Sequence, residues 1–300
     1  MARKILDGML VGVGIAIVVG VAFAIAWAGD VFTVDKDGTV KFAVSDAGKI
    51  MVGATESYVN LVIQNNAAAA NNTVDIAADV LTVEGIRLEN VNVSADITAS
   101  GAGGLDTGGE DPNAWYYVWV IANNSGASTN GLLSTSSTSP ILPSGFTRKR
   151  RVGAVRNNAA GDFLQFSQEG NKCNYLNGFG GNRTVTAGTS TSFTVANATA
   201  PSSNFIPPTS RRGVFTLQMS INHTDTTTIF TARIRKADSS GTNGQFVNAI
   251  QPHAIGLTAR NFVSGDVETD ASQQVEYQLS VAPGNSGGVN IDVLGYYDRI

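Results

Sequence analysis

Residues 115–122 read WYYVWVIA, with Trp115, Tyr117 and Trp119 on one parity and Tyr116, Val118 and Val120 on the other. Aromatic and β-branched side chains favour a pleated strand, whose successive residues point to opposite faces. A strand that is apolar on both faces needs cover on both, so this stretch predicts a central strand inside a β-fold rather than a half-wet edge. A Gly-rich, acidic loop runs into it, and the Asn123-Asn124-Ser125-Gly126 cluster ends it as a turn.

The surrounding chain reads the same way. Alternating segments predict strands at Thr73–Ile76, Val80–Val83, Ile86–Leu88 and Val91–Ile97, with turns at Glu84-Gly85 and Glu89-Asn90. Further along, Val214–Ile221, Thr228–Arg235, Val275–Val281 and Val289–Tyr297 alternate, and a loop over 281–288 joins the last two. Residues 55–66 fit a strand or a helical turn, and 67–72 are a small-residue linker. No amphipathic helix of three turns is predicted after residue 30. Hydrophobic residues make up 43% of the chain, enough for a core, while charged residues make up only 15%, below the usual ~25%. Ser, Thr, Asn and Gly fill the difference, which suits many short turns and a life outside cells. The net charge of -4 gives no basic excess for nucleic acid. The single cysteine, Cys173, excludes an internal disulfide framework.

Residues 8–28 contain no charged side chain. As a helix at ~1.5 Å per residue the segment would span about 30 Å, the thickness of a bilayer core. Arg3 and Lys4 precede it and Asp30 follows it, which orients the remainder outward if residues 5–28 lie in a membrane. A cleaved signal peptide, a membrane anchor, and a helix bundled with its copies or seated in a protein socket all fit. After it, 34–40 and 44–50 repeat with a period of 10, each a strand, a Gly turn and a strand; this reads as a short neck or as an ordinary β-meander. Residues 169–212 turn Gly/Asn-rich and then Pro/Ser-rich, marking a boundary near 170–185. The expected fold is therefore mainly β: an apolar helix (1–30), a short β neck (31–66) and two antiparallel β-sandwich, jelly-roll-like domains (67–180 and 185–300).

One series of spaced motifs is more specific. It comprises a GLDTG loop at 104–108, the WYY-V-WVI strand, an LLSTS turn at 132–136, an LPSGF loop at 142–146, an RVGAVR strand at 151–156 and a phenylalanine-bearing strand at 161–166. This series, over roughly residues 72–170, resembles a β-rich domain that recurs in tail-fibre and related attachment proteins of tailed bacteriophages. The resemblance implies a virion protein without known catalysis, and points to association as a homotrimer.

Local chemistry adds no catalytic, cofactor or metal residue. Asp106-Thr107-Gly108 matches the aspartic-protease triplet, but that chemistry takes two facing carboxylates sharing a proton and only one triplet occurs. It reads as a turn in which Asp106 bonds nearby backbone N–H groups; a metal or glycan pocket of Asp106, Glu110 and Asp111 is the alternative. Asp35, Asp37 and Gly38 lack the later acid of a calcium loop. His223 and His253 stand without partners at zinc spacing, and Cys173 has no base near it in sequence. The run Arg148-Lys149-Arg150-Arg151, with Arg156 beyond, reads as strand charges turned outward or paired with the acids near Asp106; the alternative is contact with anionic cell-surface sugars. Arg211-Arg212 and Arg233-Arg235-Lys236 read the same way.

The expected function is host attachment by a tail fibre or spike on the virion exterior, without catalysis. Its partners are its own copies, other virion proteins and a cell-surface glycan or protein receptor. Repeated weak loop contacts would sum to firm binding. Receptor candidates are Asp238, Ser239, Ser240, Asn243, Asn285 and Ser286, in loops between strands of the last domain. The alternatives are a virion shell or decoration protein, and a bacterial membrane-anchored adhesin.

Overall fold

The computed structural model describes residues 57–241, 244–252, 257–284 and 287–300, together with the backbone of 30–36, 39–45 and 50–52. The apolar segment, and every expectation placed on it, lies outside the described residues. Among those described, no helix is long and apolar enough to cross a membrane.

The described chain is mainly β, and its strands pair antiparallel. The first part contributes β1 (Asp30–Lys36), β2 (Thr39–Ser45), β3 (Ile50–Val52), β4 (Tyr58–Val59), β5 (Val62–Asn65), β6 (Thr73–Val83) and β7 (Ile86–Asp96). The motif-rich stretch forms β8 (Trp115–Ala122), β9 (Thr129–Ser134), β10 (Arg148–Arg156), β11 (Phe166–Glu169) and β12 (Lys172–Tyr175). Then come β13 (Arg183–Gly188), β14 (Thr194–Val195), β15 (Arg212–Ile221) and β16 (Phe230–Lys236). The last strands are β17 (Phe246–Ile250), β18 (Ala259–Glu268), β19 (Val275–Leu279) and β20 (Gly288–Tyr297).

One long sheet runs β1-β2-β3-β7-β6-β5-β11-β12-β20-β15-β18, with β4 on β6 and β13 on β20. A second sheet is β10-β8-β9 and a third is β14-β19-β16-β17. The backbone of β1 to β3 is a meander whose last strand meets β7 at Met51 and Ile86. The long sheet is continuous across the composition change near residue 170, because β12 pairs β20. One apolar core correspondingly extends from Leu61 and Ile63 to Val293 and Tyr296.

β8 is the middle strand of its sheet and is covered on both faces, as its composition predicts. Tyr116, Val118, Val120 and Ala122 point into the main core. Tyr117, Trp119 and Ile121 form a separate cluster with Leu132 and Ala154, against which Leu142 and Phe146 of the LPSGF loop pack.

Several boundaries differ from expectation. Glu84-Gly85 is the two-residue hairpin turn predicted, both residues having positive φ (42° and 87°). Glu89-Asn90 is not a turn: Asn90 tolerates a φ of 52° within β7, and the pairs Val80↔Glu89 and Ala78↔Val91 keep one register through it. The two short strands expected on each side are thus the single long strands β6 and β7. Leu132 to Ser134 belong to β9 rather than to a turn. The strand expected at 161–166 begins instead at Phe166, with Phe163 buried beside it.

Candidate functional site

The side chains that suggested chemistry are mostly used to hold loops. Asp106 accepts hydrogen bonds from the Ser134 hydroxyl (2.7 Å) and the Ile141 N–H (2.9 Å), pinning the GLDTG loop to the start of the loop that roofs Trp119. Glu110 accepts from Asn157 (3.0 Å), whose amide also donates to the Asp111 carbonyl, and the Asp111 N–H donates to the Tyr116 hydroxyl. The three acids therefore serve separate contacts, and no group of three metal-ligating residues occurs among the described residues. His223 accepts from the Asp225 N–H and packs on Phe230, 5.0 Å between ring centres. His253 lies outside the described residues.

The basic run faces different partners from those expected. Arg148 donates to the Glu84 carbonyl, and buried Arg150 donates to the carbonyls of Ser57 and Thr82. Arg151 finds Asp298 at 2.5 Å instead of an acid near Asp106. Asp298 is buried, and that burial pushes its carboxyl above the ordinary range while Arg151 pulls it down. This pair belongs to a seam where β8 and β10 meet the end of β20. In the same seam the Tyr296 hydroxyl donates to the Ala154 carbonyl (2.8 Å), and the Trp115 ring meets Tyr296 edge-on at 5.9 Å. Trp115 Nε1 donates to the Ser203 carbonyl (3.0 Å). Cys173 is buried against this seam, and burial pushes its thiol up to about 12, so it holds no thiolate at neutral pH.

A concave site lies where β15 starts and β16, β18 and β20 end. It is an open cleft of about 500 Å³, within the range typical of small-molecule sites. Strand register builds its wall: Tyr297 sits opposite Lys172 on one side and Arg212 on the other, and Arg212 sits opposite Glu268. Cross-strand neighbours lie close, and the two cations stand 5.8 and 5.9 Å from the Tyr297 ring centre. Arg211, Lys236 and Arg299 complete the cationic lining. Backbone bonds hold the rim: Asp298 N–H to the Asn171 carbonyl (2.8 Å), and Thr269 N–H to the Arg211 carbonyl (3.0 Å). Buried Ser210 donates to the Tyr297 carbonyl at 2.6 Å.

Of the receptor candidates, Asp238, Ser239 and Ser240 follow directly on Lys236 and its strand β16, at the cleft end of the molecule. Asn243, Asn285 and Ser286 lie outside the described residues, but Gly284 and Gly287 flank the latter two and approach Asn222 and Ser220 at the far end of β15. The two expected contact loops thus sit at opposite ends of the strands. A smaller cleft of about 330 Å³, lined by Arg260, Gln218 and Gly287, lies at that far end. Sequence reading missed the larger cleft because its cations come from segments far apart, each an ordinary strand-end charge when read alone. No protein-family model matches the sequence, and no curated protein matches it.

Proposed function

We propose that this chain is a non-catalytic attachment protein on the exterior of a tailed bacteriophage, working as a homotrimer of fibre or spike type. In this reading the apolar segment 8–28 tethers it to the virion or to a membrane. Two jelly-roll-like sandwiches that share the long sheet carry the contact surfaces outward. The observation that carries the reading is the GLDTG-to-RVGAVR series, whose residues form one packed unit around β8, with Asp106 spent on holding two loops together. Binding summed over identical chains supplies the strength that single contacts lack.

The test is competition. Labelled full-length chain is expected to bind bacterial cells and to lower phage adsorption in proportion to the chain bound, and to sediment as a trimer. A chain that binds no cells, yet is found tiled over virion heads, would overturn attachment in favour of a shell or decoration role.

A further inference from the structure

We infer that the cleft between Arg212, Lys236, Tyr297 and Arg299 is a binding site for an acidic saccharide. The proposal deepens the attachment reading and rests on it only for where the sugar comes from, a bacterial surface.

The charges favour an anion. Arg211, Arg212, Lys236 and Arg299 line the cleft together with two acids, Glu268 and Asp298, and Asp298 is already matched by Arg151. Arg212, Lys236 and Arg299 line the cleft and make no ion pair among the described residues, so their charges are not neutralised by a carboxylate, although the Arg212 guanidinium lies over the Tyr297 ring. Guanidinium groups suit a planar carboxylate through paired N–H donors.

The rest of the lining distinguishes a sugar acid from a bare phosphate. Glu268 would repel a multiply charged phosphate but accepts hydrogen bonds from hydroxyls. Asn171 both donates and accepts. The site is mainly polar and open, suited to one or two sugar rings rather than to a buried apolar ligand.

The test uses the full chain in calorimetric titrations with a galacturonate trisaccharide, a neutral glucose trisaccharide and inorganic phosphate. Binding is expected for the galacturonate alone, weakening as salt is raised. Arg212→Gln and Arg299→Gln, both at exposed side chains, are each expected to weaken it about tenfold, the loss of one charge-assisted contact, with the melting temperature unchanged. Phosphate binding as tightly as galacturonate, or galacturonate binding untouched by both substitutions, would overturn the proposal. Cell binding that neither galacturonate nor the substitutions reduce would overturn the cleft as the receptor site and leave attachment standing. Galacturonate binding that the substitutions abolish, in a chain that binds no cells, would support the cleft and remove the attachment reading.

Discussion

Asp298 and Arg151 show what a single buried pair does here. Arg151 is mostly buried and the Asp298 side chain wholly so, so removing the arginine strands a buried carboxylate without its ion-pair partner. Arg151→Ala is expected to cost about 3–5 kcal/mol near neutral pH, read by urea unfolding. The pH dependence has a definite sign. Burial raises the folded-state affinity of Asp298 for a proton above that of the unfolded chain. Its ionisation therefore lowers stability as pH rises between the unfolded and folded values. In Arg151→Ala the opposing pull is lost and the folded value rises further, so the deficit should shrink toward about pH 4, where the carboxyl becomes neutral. A deficit that stays constant with pH would contradict this. Cys173, with its thiol pushed up to about 12, should react with a thiol reagent only at the rate of local opening, not at that of an exposed cysteine. At this scale the sequence was informative where partners are near: Glu84-Gly85 is the turn that joins Val83 to Ile86, whereas the Asp106 carboxylate bonds Ser134 and Ile141, 28 and 35 residues on, instead of the nearby backbone expected of it. It was silent where they are distant, since Arg151 and Asp298 lie 147 residues apart and nothing local marks either as paired.

β20 pairs with three strands, β12, β13 and β15, as β6 does with β4, β5 and β7. A Cβ at Gly295 would run into the Cys173 carbonyl, and the nearby Asn174 backbone at 3.2 Å leaves little slack. Gly295→Ala should therefore push β12 away from β20, costing about 1–3 kcal/mol. Urea unfolding would measure the loss, and faster labelling of Cys173 would locate it at this pair of strands. An alanine variant of unchanged stability and unchanged labelling would show that the strands have room to separate. Strands with a buried face, such as β8, β15 and β20, were legible because apolar side chains repeat along them. β17 and β18 were not. β18 is the last strand of its sheet, most of its residues are exposed, and its sequence ARNFVSGDVE carries no sustained alternation. The physical demand that writes a strand into sequence is burial, and this strand meets little of it.

For the whole molecule, the long sheet and the larger apolar cluster both run across the composition break near residue 170. Unfolding of the chain should be one cooperative transition, with tryptophan fluorescence, to which Trp27, Trp115 and Trp119 contribute, coinciding with far-ultraviolet circular dichroism. Two separated transitions would mean that the β12–β20 seam is weak. The mainly β class was readable from the alternating segments and the Ser/Thr/Asn/Gly turns. The order of strands was not, because pairing between distant segments leaves no local trace. Nor was the cleft, which exists only once four strand ends meet. β20 follows every other described strand in sequence, yet it lies between β12 and β15. During synthesis β12 and β15 are made before the strand that joins them, so until β20 emerges each keeps one edge without its partner. Until the last strand slides in, these edges are sticky toward any other nascent copy, so losses in production should be set by the crowding of unfinished chains.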